Sequence, residues 1–120
     1  MLKLILTEEQ AGIVANACEF YARIRMGQFN ELVWQTMDMR VHMDDYCTRR
    51  DEAERLLLEA RRQIYPELVC AGHSYGIGKF EDADKSFDVY QVLRYALGDE
   101  RRPFSYHELP KVERMEEDGK

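Results

Sequence analysis

Thr7-Glu-Glu-Gln-Ala-Gly-Ile-Val-Ala-Asn-Ala-Cys-Glu-Phe-Tyr-Ala-Arg-Ile24 decides the class of fold, because it carries both a helix start and a helix period. Thr7 and Gln10 have the spacing of a capping box, in which the hydroxyl and the amide each satisfy a backbone N–H that the first turn leaves unpaired. From there Ile13, Val14, Ala17, Cys18, Phe20, Tyr21 and Ile24 fall on one side at helical spacing, with Asn16, Glu19 and Arg23 on the opposite stripe. Glu19 precedes Arg23 by four residues, so that stripe reads as an exposed ion pair worth about 0.3–0.5 kcal/mol.

Working outward, Leu2 to Leu6 reads as a short strand or an extended arm. Gly27 interrupts the helical pattern, and Phe29, Leu32, Val33, Trp34 and Met37 predict a second, shorter helix. Asp38 to Arg50 has mixed charge and weak periodicity and reads as a connection. A third helix is expected from about Asp51 to Ile64, with Ala53, Leu56, Leu57, Ala60 and Ile64 inward and the Glu and Arg residues outward. Tyr65-Pro66 ends it, since proline disfavours helical geometry in the residue before it. After a loop containing Gly72, Gly76 and Gly78, Asp82 or Asp84 caps a last helix that reaches Leu97 and stops at Gly98. The expected fold is mainly α, a compact bundle of about four helices with the N-terminal strand or arm. Residues 1–110 form the helical domain and 111–120 an acidic tail without fixed structure.

A chain of 120 residues with 45% hydrophobic and 33% charged residues can bury a core as one domain. Its net charge of −6 lacks the basic footprint of a nucleic-acid binder, so no direct nucleic-acid binding is expected. The apolar start is too short to span a bilayer and no small-residue cleavage site follows it, which predicts a cytoplasmic protein with no membrane partner. Cys18, Cys47 and Cys70 are widely spaced and odd in number, the pattern of reduced, mostly packed thiols.

Three motifs invite a chemical reading and fail on their surroundings. Gly72-His-Ser-Tyr-Gly76 has the letters of a nucleophile elbow, and Asp88 and His107 follow in the order of a hydrolase triad. An elbow needs a buried strand before the serine and a helix directly after it, and Ile77-Gly-Lys-Phe80 intervenes. Gly76-Ile-Gly78-Lys79 is too short for a Walker motif and has Phe80 where Ser or Thr belongs, although its glycines allow a concave nest of amides for an anion. His42-Met-Asp-Asp45 has metal-capable side chains without the spacing of a metal site. No catalytic residue, metal or cofactor is therefore assigned.

The last helix separates core from candidate function. Val89, Val92, Leu93, Ala96 and Leu97 fill one side and dock it, while Phe87, Asp88, Gln91, Arg94 and Tyr95 project from the other. Such an aromatic and polar face meets a ligand, or is covered by the first helix or by a second copy of the chain.

Tyr21-Ala-Arg-Ile-Arg-Met-Gly-Gln-Phe-Asn-Glu-Leu32, Ser74-Tyr-Gly-Ile77 and Phe87-Asp-Val-Tyr-Gln-Val-Leu-Arg94 together resemble small bacteriophage and prophage proteins of unassigned function. That family carries a Tyr-Ser-Arg-Ile-Gly-x-Gly-Gln-Phe-like run, a Ser-Tyr-Gly-Ile loop and a Tyr-Asp-x-Tyr-Gln-Val-Ile-Arg helix in the same order, over about two thirds of the chain. This sequence departs from it at Arg25 (glycine in the family), at Phe87 (tyrosine) and in the cysteine-containing middle. The resemblance implies a phage accessory gene product, similar in scale to anti-defence sponges that sequester nucleotide immune signals.

The residue types suit such a sponge. Tyr75, Tyr90 and Tyr95 offer rings for a base, Arg23, Arg25 and Arg94 hold phosphates, and Gln28, Gln91 and Ser74 read polar edges. The expected partner is a small nucleotide-like ligand, bound without turnover by a homo-oligomer. One alternative is an acidic, DNA-mimic-like inhibitor of a host defence protein. A third is a hydrolase of the signal, using Ser74 or a histidine.

Overall fold

The computed structural model describes residues 1–38, 40, 44–105 and 107–116. It is mainly helical, with four helices and no strand among the described residues: α1 (Glu8–Arg25), α2 (Glu31–Thr36), α3 (Tyr46–Ile64) and α4 (Glu81–Ala96). The chain divides into two contact units, Met1–Ala22 with Ile77–Lys120 and Arg23–Gly76. None of the helices is long and apolar enough to cross a membrane.

Helix limits follow local chemistry. The Thr7 N–H donates to Gln10 Oε1 at 3.0 Å and the Gln10 N–H donates to Thr7 Oγ1 at 3.1 Å, the reciprocal capping box. At the other end of α1, Gly27 N donates to Ile24 O and Gln28 N to Arg23 O, a Schellman closure with Gly27 at φ 91°. The same closure ends α4: Gly98 N donates to Tyr95 O and Asp99 N to Arg94 O, with Gly98 at φ 111°. Leu2 to Leu6 has no regular structure and is mostly exposed, so of the two expected forms the chain adopts the arm.

The buried faces differ from those expected. On α1 the closest-packed positions are Ala15 and Ala22, while Ile13, Ala17 and Tyr21 of the predicted apolar side are exposed. Small side chains let α4 come near enough for Ser86 Oγ to donate to Cys18 O at 2.7 Å, and Tyr21 Oη donates to Asp82 Oδ2 at 2.8 Å from the flank. α3 begins at Tyr46, so part of the expected connection is helix. Its inward line runs through Ala53, Leu57 and the buried Arg61, and Leu56, Ala60 and Ile64 face out. In the second unit α2 packs on α3, with Val33 and Glu31 buried and Leu32 and Trp34 exposed.

On α4 the expectation fails at Asp88 and Gln91, which turn inward, while Tyr95 projects as expected. Asp84, Asp88 and Gln91 are buried with Ala83, whereas Val89, Val92 and Leu93 are half-buried and Leu97 is exposed. Phe80, rather than Asp82 or Asp84, holds the N-cap position, and within the first turn the Asp82 carboxylate accepts the Ala83 N–H at 2.9 Å. The Asp84 carboxylate instead accepts the Gly78 N–H, at 3.0 and 3.1 Å to its two oxygens. Of the cysteines only Cys18 is partly packed; Cys47 and Cys70 are exposed, and all three are free thiols. In the tail, Arg114 donates to Ala96 O at 2.5 Å and pairs with Glu8.

Two substitutions test these local devices. Thr7→Ala removes half of the capping box and is expected to lower stability by about 1 kcal/mol in urea denaturation. Gly27→Ala places a Cβ 2.6 Å from Leu68 Cδ1 at a positive φ. It is expected to cost about 1–3 kcal/mol and to lower Tm by several degrees.

Candidate functional site

Five of the sequence-predicted binding residues meet in the second unit. Arg23 and Arg25 end α1, Gln28 follows its closing glycine, and Ser74 and Tyr75 lie in the loop after α3. Gln28 joins the two segments: its Oε1 accepts from Arg23 Nη1 at 2.9 Å, and its Nε2 donates to Ser74 Oγ at 3.5 Å. The Tyr75 N–H donates to Met26 O at 2.8 Å, which ties the loop to the end of the helix. Arg23 Nε also lies 3.7 Å from the buried carboxylate of Glu31.

Tyr65, which sequence pattern marks only as a helix end, organises the aromatic side of this network. Its hydroxyl donates to Arg25 O at 2.7 Å and accepts from Arg25 Nη1 at 2.7 Å. The Tyr75 ring stands edge-on to it with centroids 5.3 Å apart, and Phe29 tilts against it at 6.1 Å. The result is a surface where guanidinium, amide, hydroxyl and ring edges lie side by side, with Ser74 exposed and Arg23, Gln28 and Tyr75 partly so.

Beneath it lies Arg61, expected to point outward and in fact only 4% exposed. Its Nη1 donates to Gly27 O at 3.2 Å and His73 O at 2.7 Å, and its Nη2 donates to Cys70 O at 2.6 Å. One side chain thus holds the turn after α1 and the loop carrying Ser74 and Tyr75. The signal for it was the spacing Leu57, Arg61, Tyr65, Leu68, which continues the inward line of the helix past its end.

The other four predicted residues lie on α4, in the first unit. The Arg94 guanidinium sits over the Tyr90 ring, 5.0 Å from its centroid, and Phe87 tilts against Tyr90 at 5.4 Å. Arg94 Nε is 3.7 Å from Asp99 Oδ2. Asp99 is held well below the usual carboxylate range, first by the side-chain and then by the backbone hydrogen bond of Arg101. Gln91 does not project: it is 2% exposed, its Nε2 donates to Phe104 O at 2.9 Å and its Oε1 accepts from Phe104 N at 3.1 Å. Tyr95 is exposed.

The rejected motifs occupy plain positions. Ser74 lies in a coil with α4 starting only at Glu81, and no strand precedes it among the described residues. His107, the third letter of the apparent triad, has Nε2 3.5 Å from Asp84 Oδ2 rather than beside Asp88. The Gly78 amide of the supposed nest faces the protein's own Asp84. His42 and Met43 of the metal-capable run lie outside the described residues, and no group of three or more His, Cys, Asp or Glu side chains gathers among those described.

No protein-family model, curated protein or solved structure compared with this chain matches it. The site rests on its own geometry.

Replacing Arg61 by Met keeps much of its volume and leaves the Gly27 and His73 carbonyls without the side-chain donor, while Cys70 O keeps the His73 N–H at 3.0 Å. The expected loss is about 2 kcal/mol or more, since each unsatisfied buried acceptor costs about 1–3 kcal/mol. Urea denaturation measures it; a loss under about 1 kcal/mol would show that water replaces the guanidinium.

Proposed function

We propose that this chain is a phage accessory protein that binds a small nucleotide-derived immune signal in the host cytoplasm and holds it without turnover. What supports the reading is the hydrogen-bonded chain Arg23, Gln28, Ser74 at the surface of the second unit, drawn from two distant segments, with Tyr75 tied to Met26 O beside it and Arg25 bonded to Tyr65, against which the Tyr75 ring stands. An incoming phosphate exchanges the neutral Gln28 contact of Arg23 for a charge-assisted bond, which is roughly twice as strong. Gln28 and Ser74 are then left to read polar edges, and the rings of Tyr75, Tyr65 and Phe29 supply a wall for a base. Self-association belongs to the same proposal and is supported by the exposed apolar arm of Leu2, Leu4 and Ile5.

An acidic inhibitor of a host defence protein is the second reading. It is favoured by the net charge of −6 and by the outward apolar Leu56, Ala60 and Ile64 of α3, next to which Glu52 and Glu59 are both paired with Arg55. That partner would be basic and its capture would weaken steeply with salt.

A thermal-shift series with cyclic di- and trinucleotides, ADP-ribose derivatives and common nucleotides tests the first reading. A ligand at about a hundred times its Kd adds about 2.7 kcal/mol, or several degrees. Arg23→Ala is expected to abolish the shift while keeping the helical circular dichroism, and the ligand is expected intact after heat release. A degraded ligand would instead point to the hydrolase, and no shift across the series would reject the sponge.

A further inference from the structure

The first unit contains a cavity of about 10 Å³, walled by Ile77, Phe87, Phe104, Asp84, Asp88 and Ser105, with Gln91 at its side. That is the room one water-sized group needs. Most polar atoms around it are engaged: Gln91 clamps the Phe104 backbone, Ser105 Oγ accepts the His107 N–H at 3.0 Å, and Asp84 accepts the Gly78 N–H. Asp88 is the exception. It is 4% exposed, and its Oδ2 is shut off from solvent with no hydrogen-bond partner among the described residues. A carboxylate oxygen buried without a donor is strongly unfavourable, so the site calls for a group that brings both a hydrogen and a positive charge.

We propose that this cavity binds one ammonium head group, the terminus of a primary amine. An ammonium group is the size of a water molecule and donates to Asp88 Oδ2; the second carboxylate, Asp84, is engaged by the Gly78 N–H and lies 3.5 Å from His107 Nε2, so Asp88 carries the recognition. Phe87 and Phe104 bring aromatic rings to the cavity wall, and aromatic rings attract cations at their faces. Ile77 and Phe104 reach the surface and provide an apolar rim for the alkyl chain. An anion is disfavoured by the two carboxylates. A divalent ion needs more oxygen ligands than the one unengaged carboxylate oxygen supplies. This inference is independent of the nucleotide reading, which concerns residues of the second unit.

The test is a titration of the full ¹⁵N-labelled chain with methylammonium chloride, against tetramethylammonium chloride at matched ionic strength. Saturable amide shifts confined to residues 77–91 and 104–105 are expected with methylammonium and none with tetramethylammonium, which is too large and carries no N–H. Asp88→Asn is expected to weaken binding roughly tenfold or more. Equal responses to the two salts, no saturable response, or wild-type binding by a folded Asp88→Asn would each overturn the proposal. If that variant does not fold, the comparison of the two salts on the wild type decides.

Discussion

The second unit depends on one guanidinium. Arg61 reaches from the last turn of α3 to three backbone carbonyls, those of Gly27, Cys70 and His73. These carbonyls belong to a helix-ending turn and to an irregular loop, where no regular ladder satisfies them. A buried aliphatic residue at that position would fill the space and leave the Gly27 and His73 carbonyls without this donor, with Cys70 O keeping only the His73 N–H, so packing alone cannot stand in for the hydrogen bonds. The planar fork of arginine suits several acceptors at once, which a lysine ammonium on a flexible stem does less well. Everything offered as a ligand face, from Arg23 to Tyr75, is positioned by the turn and loop that this side chain holds.

The same economy recurs in the first unit. Its buried hydrophobic residues include Ala15, Ala22 and Ala83, and no large side chain is completely buried among the described residues. Specificity comes instead from polar side chains that each close a backbone gap: Gln91 on Phe104, Asp84 on Gly78, Ser86 on Cys18. Satisfied buried networks of this kind define one arrangement sharply, and an unsatisfied member stands out. Asp88 Oδ2 stands out in that way.

Arginines at helix ends serve two purposes in this chain. Arg23 and Arg94 occupy equivalent positions in the two Schellman closures, four residues before Gly27 and Gly98. Each side chain turns toward the residue after its glycine, Gln28 in one case and Asp99 in the other. Positive charge at a helix C-terminus is favourable in its own right. A capping role therefore accounts for both arginines before any ligand is considered, and at Arg23 the neighbouring Gln28, Ser74 and Tyr75 add what a cap does not need.

Helix number, both ends of α1 and the stop of α4 were readable from the sequence because their chemistry is local, whereas the start of α3 at Tyr46 was not. Thr7 finds Gln10 three residues away, and Gly27 and Gly98 supply a positive φ that other residues resist, so those ends can be placed without knowledge of the fold. The convergence of Arg23, Gln28 and Ser74 could be anticipated only as a set of residue types. Which side of each helix faces inward was decided by tertiary structure. Hydrophobic periodicity assumes that large apolar residues are buried and charged ones exposed, whereas here Ala15 and Ala22 allow close approach and Ile13 stays outside. Arg61, Asp88 and Gln91 went inward against their polarity. For Arg61 and Gln91 the reason lies in their partners: backbone groups 34 residues away at Gly27 and 13 away at Phe104 come within reach only when the chain has folded.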